Sequence, residues 1–215
     1  TLDFIDKIRE DEHPSVHKNK ISLYAEYTRI EEDRTIEQAF LYDIKNDIIK
    51  YNKKSQYIYD YDMNYAFTHE ISHRMDYLEY NSWTNRRFLE AIEICSKKVY
   101  SNRSEIQKWF DEGAKYEKSF ALSDIIGILG NGNISVPVGH KEGYLKKNPV
   151  YGTMEIFANL SSIDILGLNE KEEVITAENI ELHDETLKPI YNYFKERDQI
   201  IDIENFELKN LKIFS

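Results

Sequence analysis

Apolar residues recur at helical spacing through most of the middle of the chain. Phe67, Ile71, Met75 and Leu78 fall three or four residues apart, which predicts a helix from Tyr61 to about Tyr80 with one stripe against a core. Phe88, Ala91, Ile92, Cys95 and Val99 predict a second helix over Thr84 to Tyr100, with Arg86, Arg87, Glu90, Glu93, Lys97 and Lys98 mostly on its wet side. Cys95 therefore reads as core. A third helix is expected over Ser104 to Lys118, opened by Ser104 as N-cap, and a short apolar one over Ala121 to Leu129. Thr153 is read as the cap of a helix ending at Leu166, with Gly167 placed for a left-handed C-cap.

The first sixty residues are charged and interrupted. Ile21 to Tyr27 and Ala39 to Tyr51 are rich in aromatic and β-branched residues, and Lys45-Asn46-Asp47 supplies turn chemistry, so a short hairpin is expected. Between Gly127 and Gly143 lie five of the eight glycines, and Pro137 forbids continuous helix there, so this is the loop expected to face a ligand. Residues 170 to 185 are acidic and read as solvated; Asp184 opens a last helix to about Arg197, with Pro189 in its early turns. With no internal repeat or linker, 1–215 reads as a single α+β domain, predominantly helical, with 1–20 as a peripheral arm.

Composition narrows the classes of function. The 215 residues carry 28 basic and 39 acidic side chains, a net charge of −11, which argues against nucleic acid as a partner. A single cysteine excludes an internal disulfide and any multi-cysteine metal site. No run of about 18 apolar residues and no charged-then-apolar leader occurs, so neither a membrane span nor a retained signal peptide is expected. The start at Thr1 reads as a processed chain or an excised piece. Virion, host cytoplasm and secretion all stay open as locations.

The chemistry concentrates in His69-Glu70-Ile71-Ser72-His73, an HExxH pattern. Four residues are slightly more than one helical turn, so the two imidazoles point the same way and can share one tetrahedral Zn2+, while Glu70 stands where it can take a proton from a water polarised there. Asp76, three residues on, is placed to hold a ligand imidazole in its metal-binding tautomer. His13, His17 and His183 have no partner pattern and read as surface residues.

THEISHRMD (Thr68 to Asp76), ALSDIIGILGNGNISVPVGHKEGYL (Ala121 to Leu145) and YGTMEIFANL (Tyr151 to Leu160) together resemble the gluzincin peptidases related to anthrax lethal factor and the Pro-Pro endopeptidases. They are most similar to the metallopeptidase-like domain of phage minor head (head-morphogenesis) proteins. The resemblance touches residues 60 to 200 and implies a zincin-like fold, with a small N-terminal hairpin or sheet beside an HExxH active-site helix. It makes Glu155 the third zinc ligand, in the first turn of its helix, beside His69 and His73. By the same analogy Tyr151 stabilises the oxyanion, with Tyr144 and His140 as competitors, and His140 is a candidate for the cleft or for the developing charge. Ser72 occupies a position usually held by Gly or Ala, and Asn159 stands where related helices carry an acid.

The expected function is zinc-dependent hydrolysis of peptide bonds, with Glu70 as general base and a peptide or protein as substrate. A groove beside residues 39 to 51 would take that substrate as an added strand. The alternative is a phage-head, assembly or effector domain that binds zinc or keeps the zincin fold with little hydrolysis, its partners then being other components of the phage head.

Overall fold

A computed structural model describes residues 27–55, 63–112, 120–136, 139–140, 142–145, 148–165 and 189–190. Of the segment Ile21 to Tyr27 only Tyr27 is described, and it is not in a strand; the arm 1–20, the acidic stretch 170–185, Gly167 and all but Pro189 and Ile190 of the last helix lie outside the described residues, as do His13, His17 and His183.

The hairpin forms where the turn residues put it. Strands β2 (Phe40–Asp43) and β3 (Ile48–Tyr51) are antiparallel, with Phe40 opposite Tyr51 and Tyr42 opposite Ile49. The Asp43 carboxylate closes the turn by accepting from Lys45 N at 3.1 Å and Asn46 Nδ2 at 2.9 Å. Asp47 is left-handed at φ 49°, a conformation that Asp tolerates better than most residues. A further strand, β1 (Arg29–Glu32), pairs parallel with β3, giving the order β1-β3-β2. The hydrophobic pattern misses it because Arg-Ile-Glu-Glu has one apolar residue and a mostly exposed face.

The apolar stripe of helix α1 (Met63–Met75) lies on this sheet. Phe67, Ile71 and Met75 are fully buried with Phe40, Tyr42 and Ile49, and the rings of Phe40 and Phe67 meet edge to face at 5.6 Å. Each such side chain contributes about 1.5–3 kcal/mol by leaving water. Helix and hairpin are also strapped ionically: Arg74, buried, donates through Nε and Nη2 to the two oxygens of Asp47 at 2.7 and 2.8 Å, and the Tyr42 hydroxyl donates to Asp47 at 2.9 Å. Asp47→Ala takes a bidentate carboxylate partner from a buried guanidinium. Because Asp47 is a third exposed, a loss of about 2–3 kcal/mol is expected, below the full range for a buried pair. Urea unfolding should show a lower midpoint at unchanged slope; an unshifted midpoint would mean that the strap does not hold the hairpin.

Beyond α1 the backbone widens into a π turn, Asp76–Tyr80, and passes left-handed Asn81 into a 3-10 turn, Ser82–Thr84. The Tyr80 ring sits 5.1 Å from Phe157 and joins the sheet cluster to a second, all-helical one. There α2 (Arg86–Ser101), capped by Asn85 accepting from Phe88 N, buries Phe88, Ala91, Cys95 and Val99 as the period predicts. Burial pushes the Cys95 thiol up to about 11, which suits a structural, unreactive cysteine. Helix α3 (Arg103–Glu112) adds Ile106 and Phe110.

Further boundaries differ from expectation: α3 begins at Arg103, so Ser104 lies inside its first turn and is not its cap. Helix α4 runs Phe120–Gly130, so Gly127 and Gly130 are helical and the glycine-rich loop begins only at Asn131. Between it and the last described long helix lies the short α5 (Glu142–Leu145). Helix α6 is Pro149–Ile165, begun not by Thr153 but by Asn148, whose side chain accepts from Val150 N, with Pro149 at the first position, where its missing N–H costs nothing. Gly152 is then helical, and a Cβ there would lie 3.0 Å from Ile128 of α4, so the glycine serves close helix packing.

Candidate metal centre

Because α6 starts five residues early, Glu155 lies in its second turn rather than its first, on the side packed along α1. There the three predicted ligands meet. Glu155 Oε2 is 3.0 Å from His69 Nε2 and 3.3 Å from His73 Nε2, and the two Nε2 atoms are 3.1 Å apart. All three residues are buried donors of one group. Ligands held at about 2.0–2.1 Å around a tetrahedral zinc stand roughly 3.3 Å from one another, so this set fits the ion closely and leaves one tetrahedral position to the cavity side.

Without a metal the cluster is a buried ion pair. Burial alone disfavours the His73 imidazolium, but the Glu155 carboxylate and the hydrogen bond to it, with Glu70 and Asp76, outweigh that and raise its pKa to about 9. Glu155 is held well below the usual carboxylate range: its burial works the other way and is outweighed by His73 and His69. A pKa raised above the unfolded value contributes stability that is present below about pH 6.5 and lost as pH rises through about 9. The metal-free chain should therefore lose on the order of 3 kcal/mol between these limits, read as a falling Tm in the presence of chelator. A flat Tm over that interval would contradict the pairing.

Glu70, next along α1, faces β2. Its Oε2 accepts from the backbone N–H of Tyr42 at 2.7 Å. Asp76 does not do what its spacing predicts. Its two oxygens accept from Ser82 N at 2.7 Å and Ser82 Oγ at 2.6 Å, closing the turn after the π segment, and Nδ1 of both His69 and His73 has no hydrogen-bond partner among the described residues. Ser72 bonds back to Thr68 O at 2.8 Å, so it stays small and satisfied inside the helix pair.

The opposite wall is a stack of three rings: His140 on Tyr144 at 4.6 Å, and Tyr144 on Tyr151 at 5.1 Å. The Tyr144 hydroxyl donates to Glu155 Oε1 at 2.9 Å, and burial together with that carboxylate pushes its pKa up, keeping the proton on oxygen. His140 Nε2 stands 3.6 Å from the same Oε1. Burial lowers the His140 pKa, but the bond to Asp124 and the nearby Glu155 more than reverse this. Tyr151 is half-buried and lines the cavity. Of the three candidates for the oxyanion, then, His140 and Tyr144 approach Glu155 directly, and Tyr151 enters through the stack.

These groups line a cavity of about 830 Å3, bounded on one side by residues 37–42 and floored by His69, Glu70, His73 and Glu155. Sequence reasoning missed two contributors, Tyr65 and Asp124. Tyr65, one turn before His69, donates to Asn159 Oδ1, and Asn159 Nδ2 donates to Asp124 at 2.8 Å, so Asn159 supports neither ligand histidine. The signal for Asp124 was present: it is the one charged residue in the mostly apolar helix Phe120–Gly130. Comparison with protein families, with characterised sequences and with solved structures gives no match.

Proposed function

We propose that the chain is a zinc-dependent metallopeptidase of the gluzincin type, with a zincin-like fold similar to the domain at the end of phage minor head proteins. The observation that carries this reading is the convergence of His69, His73 and Glu155, from two helices, on one point within 3.0–3.3 Å of each other, with Glu70 of the same motif on the cavity floor. Zinc bound there would act as a Lewis acid, bringing the pKa of water toward neutrality and polarising a carbonyl.

The chain's own residues do the rest. Tyr144 holds Oε1 of Glu155, so that Oε2 is turned toward the imidazoles. Tyr42 N–H holds one oxygen of Glu70 and leaves the other to take a proton from the attacking water and pass it to the leaving amine. Tyr151 and His140, on the facing wall, receive the charge that develops on the carbonyl oxygen.

Strand β2 pairs only with β3 among the described residues, and Ala39 O accepts from Asn52 N on that side. An extended peptide substrate would lie in the groove beside this hairpin, as an added strand.

Elemental analysis and a peptide library test the assignment together. One equivalent of zinc, with cleavage abolished by chelator and restored by zinc, is the expected result. A folded, zinc-free protein would sink it. A zinc-loaded protein inert across the library would leave a binding domain on the same scaffold.

A further inference from the structure

Helix α4 carries a buried carboxylate that the hydrolytic reading does not use. Asp124 is 1 % exposed, and an ionised acid kept there costs stability unless its oxygens are filled. They are. Oδ1 accepts from the backbone N–H of His140 at 2.6 Å; Oδ2 accepts from the His140 ring at Nδ1, 3.0 Å, and from Asn159 Nδ2 at 2.8 Å. Asn159 is anchored in turn by the Tyr65 hydroxyl. The loop reaches Asp124 through Gly139, at φ 130°, where a Cβ would come within 2.7 Å of Oδ1 and 2.9 Å of the Asp124 Cα.

Two chemistries compete for this cluster. Asp124, His140 and Glu155 offer ligand atoms within 4.8 Å of one another, as a second cation would require. Yet both Asp124 oxygens already accept N–H donors, one of them two, and a cation would have to displace a backbone amide. Fixing one edge of an imidazole, in contrast, needs the donors that are there. The other edge is left over: Nε2 is 3.6 Å from Glu155 Oε1, outside hydrogen-bond length, and Oε1 already has the Tyr144 hydroxyl at 2.9 Å.

We propose that Asp124 is a positioning residue for His140. It grips the imidazole by Nδ1–H and by the residue's own backbone N–H, so that Nε2 faces the cavity without a hydrogen bond, 3.6 Å from Glu155 Oε1. Asn159 and Tyr65 hold Asp124 in turn, which ties the ring's orientation to the helix that bears His69 and His73. The grip itself follows from geometry; its effect on turnover rests on the hydrolase reading.

The experiment has two arms. In the zinc-loaded protein, 15N-resolved NMR of the histidine rings should give His140 a slowly exchanging, hydrogen-bonded Nδ1–H in wild type, and Asp124→Asn should abolish it. In the kinetic arm, with the best-cleaved library peptide, Asp124→Asn should retain one zinc, lower kcat about 10–100-fold and change KM little. In a His140→Ala background the same substitution should change kcat less than about two-fold, because there is no ring left to orient. A wild-type His140 with no proton on Nδ1 overturns the proposal whether or not Asp124→Asn folds. So does an Asp124→Asn effect of equal size with and without His140. Wild type inert toward every peptide counts against the hydrolase reading alone, since the NMR arm decides the grip.

Discussion

Glu70→Gln should keep its zinc and lose its turnover. The glutamine carbonyl can still accept from Tyr42 N–H, now 2.7 Å from Oε2, so the side chain stays where it is. Its amide has no basic oxygen to take a proton from water, and removal of a positioned general base lowers kcat by about 10²–10⁴-fold. KM should hold, since the edge of β2 and the cavity wall are untouched. Titration of the purified variant should still end at one equivalent of zinc. Turnover within a factor of ten of wild type would assign the proton to another group.

Glu155→Ala should do the reverse, removing the ion and everything that depends on it. Oε2 is the donor atom shared by both imidazole contacts, at 3.0 and 3.3 Å, and Oε1 is the acceptor of the Tyr144 hydroxyl. Two buried histidines would remain as ligands, too few to hold zinc against competing water. Loss of a group that only supports a ligand costs about 10–100-fold in affinity, so loss of the ligand itself should exceed about 100-fold. Competition with a chromogenic chelator measures it. The metal-free variant should also lose most of the alkaline fall in Tm, because the carboxylate that does most to raise the His73 pKa is gone, with Glu70 and Asp76 left to act more weakly. Retention of full zinc affinity would place the third ligand elsewhere and take the peptidase assignment with it.

Local order was legible in the chain, and order that depends on distant partners was not. The stripe of Phe67, Ile71 and Met75 and that of Phe88, Ala91, Cys95 and Val99 are periodic in themselves, and their burial follows. His69 and His73 share a helix face by arithmetic alone. Glu155 had no such warrant: nothing within ten residues of it marks a ligand, and only resemblance to a family proposed it. Its helix begins early because Asn148-Pro149 is a stronger start than Thr153, and Gly152, which reads as a breaker, is wanted inside the helix for contact with α4. Asp76 shows the opposite failure. Its spacing from His73 suits an orienting acid, but the chain turns after Tyr80 and presents Ser82 N–H and Oγ first, and nearer donors win. Among the described residues strand β1 pairs only with β3, and no pattern in Arg-Ile-Glu-Glu could announce it.

The tight approach at Gly139 has a consequence for how this chain can diverge. A methyl group there would strike both the side chain and the main chain of Asp124, and the backbone turn itself is one that other residues resist. Drift can remodel the rest of the loop, lengthen it or recharge it, but the Gly-His pair and the acid beneath it must be inherited together or abandoned together. Descendants that have exchanged this glycine should prove to have discarded the aspartate as well.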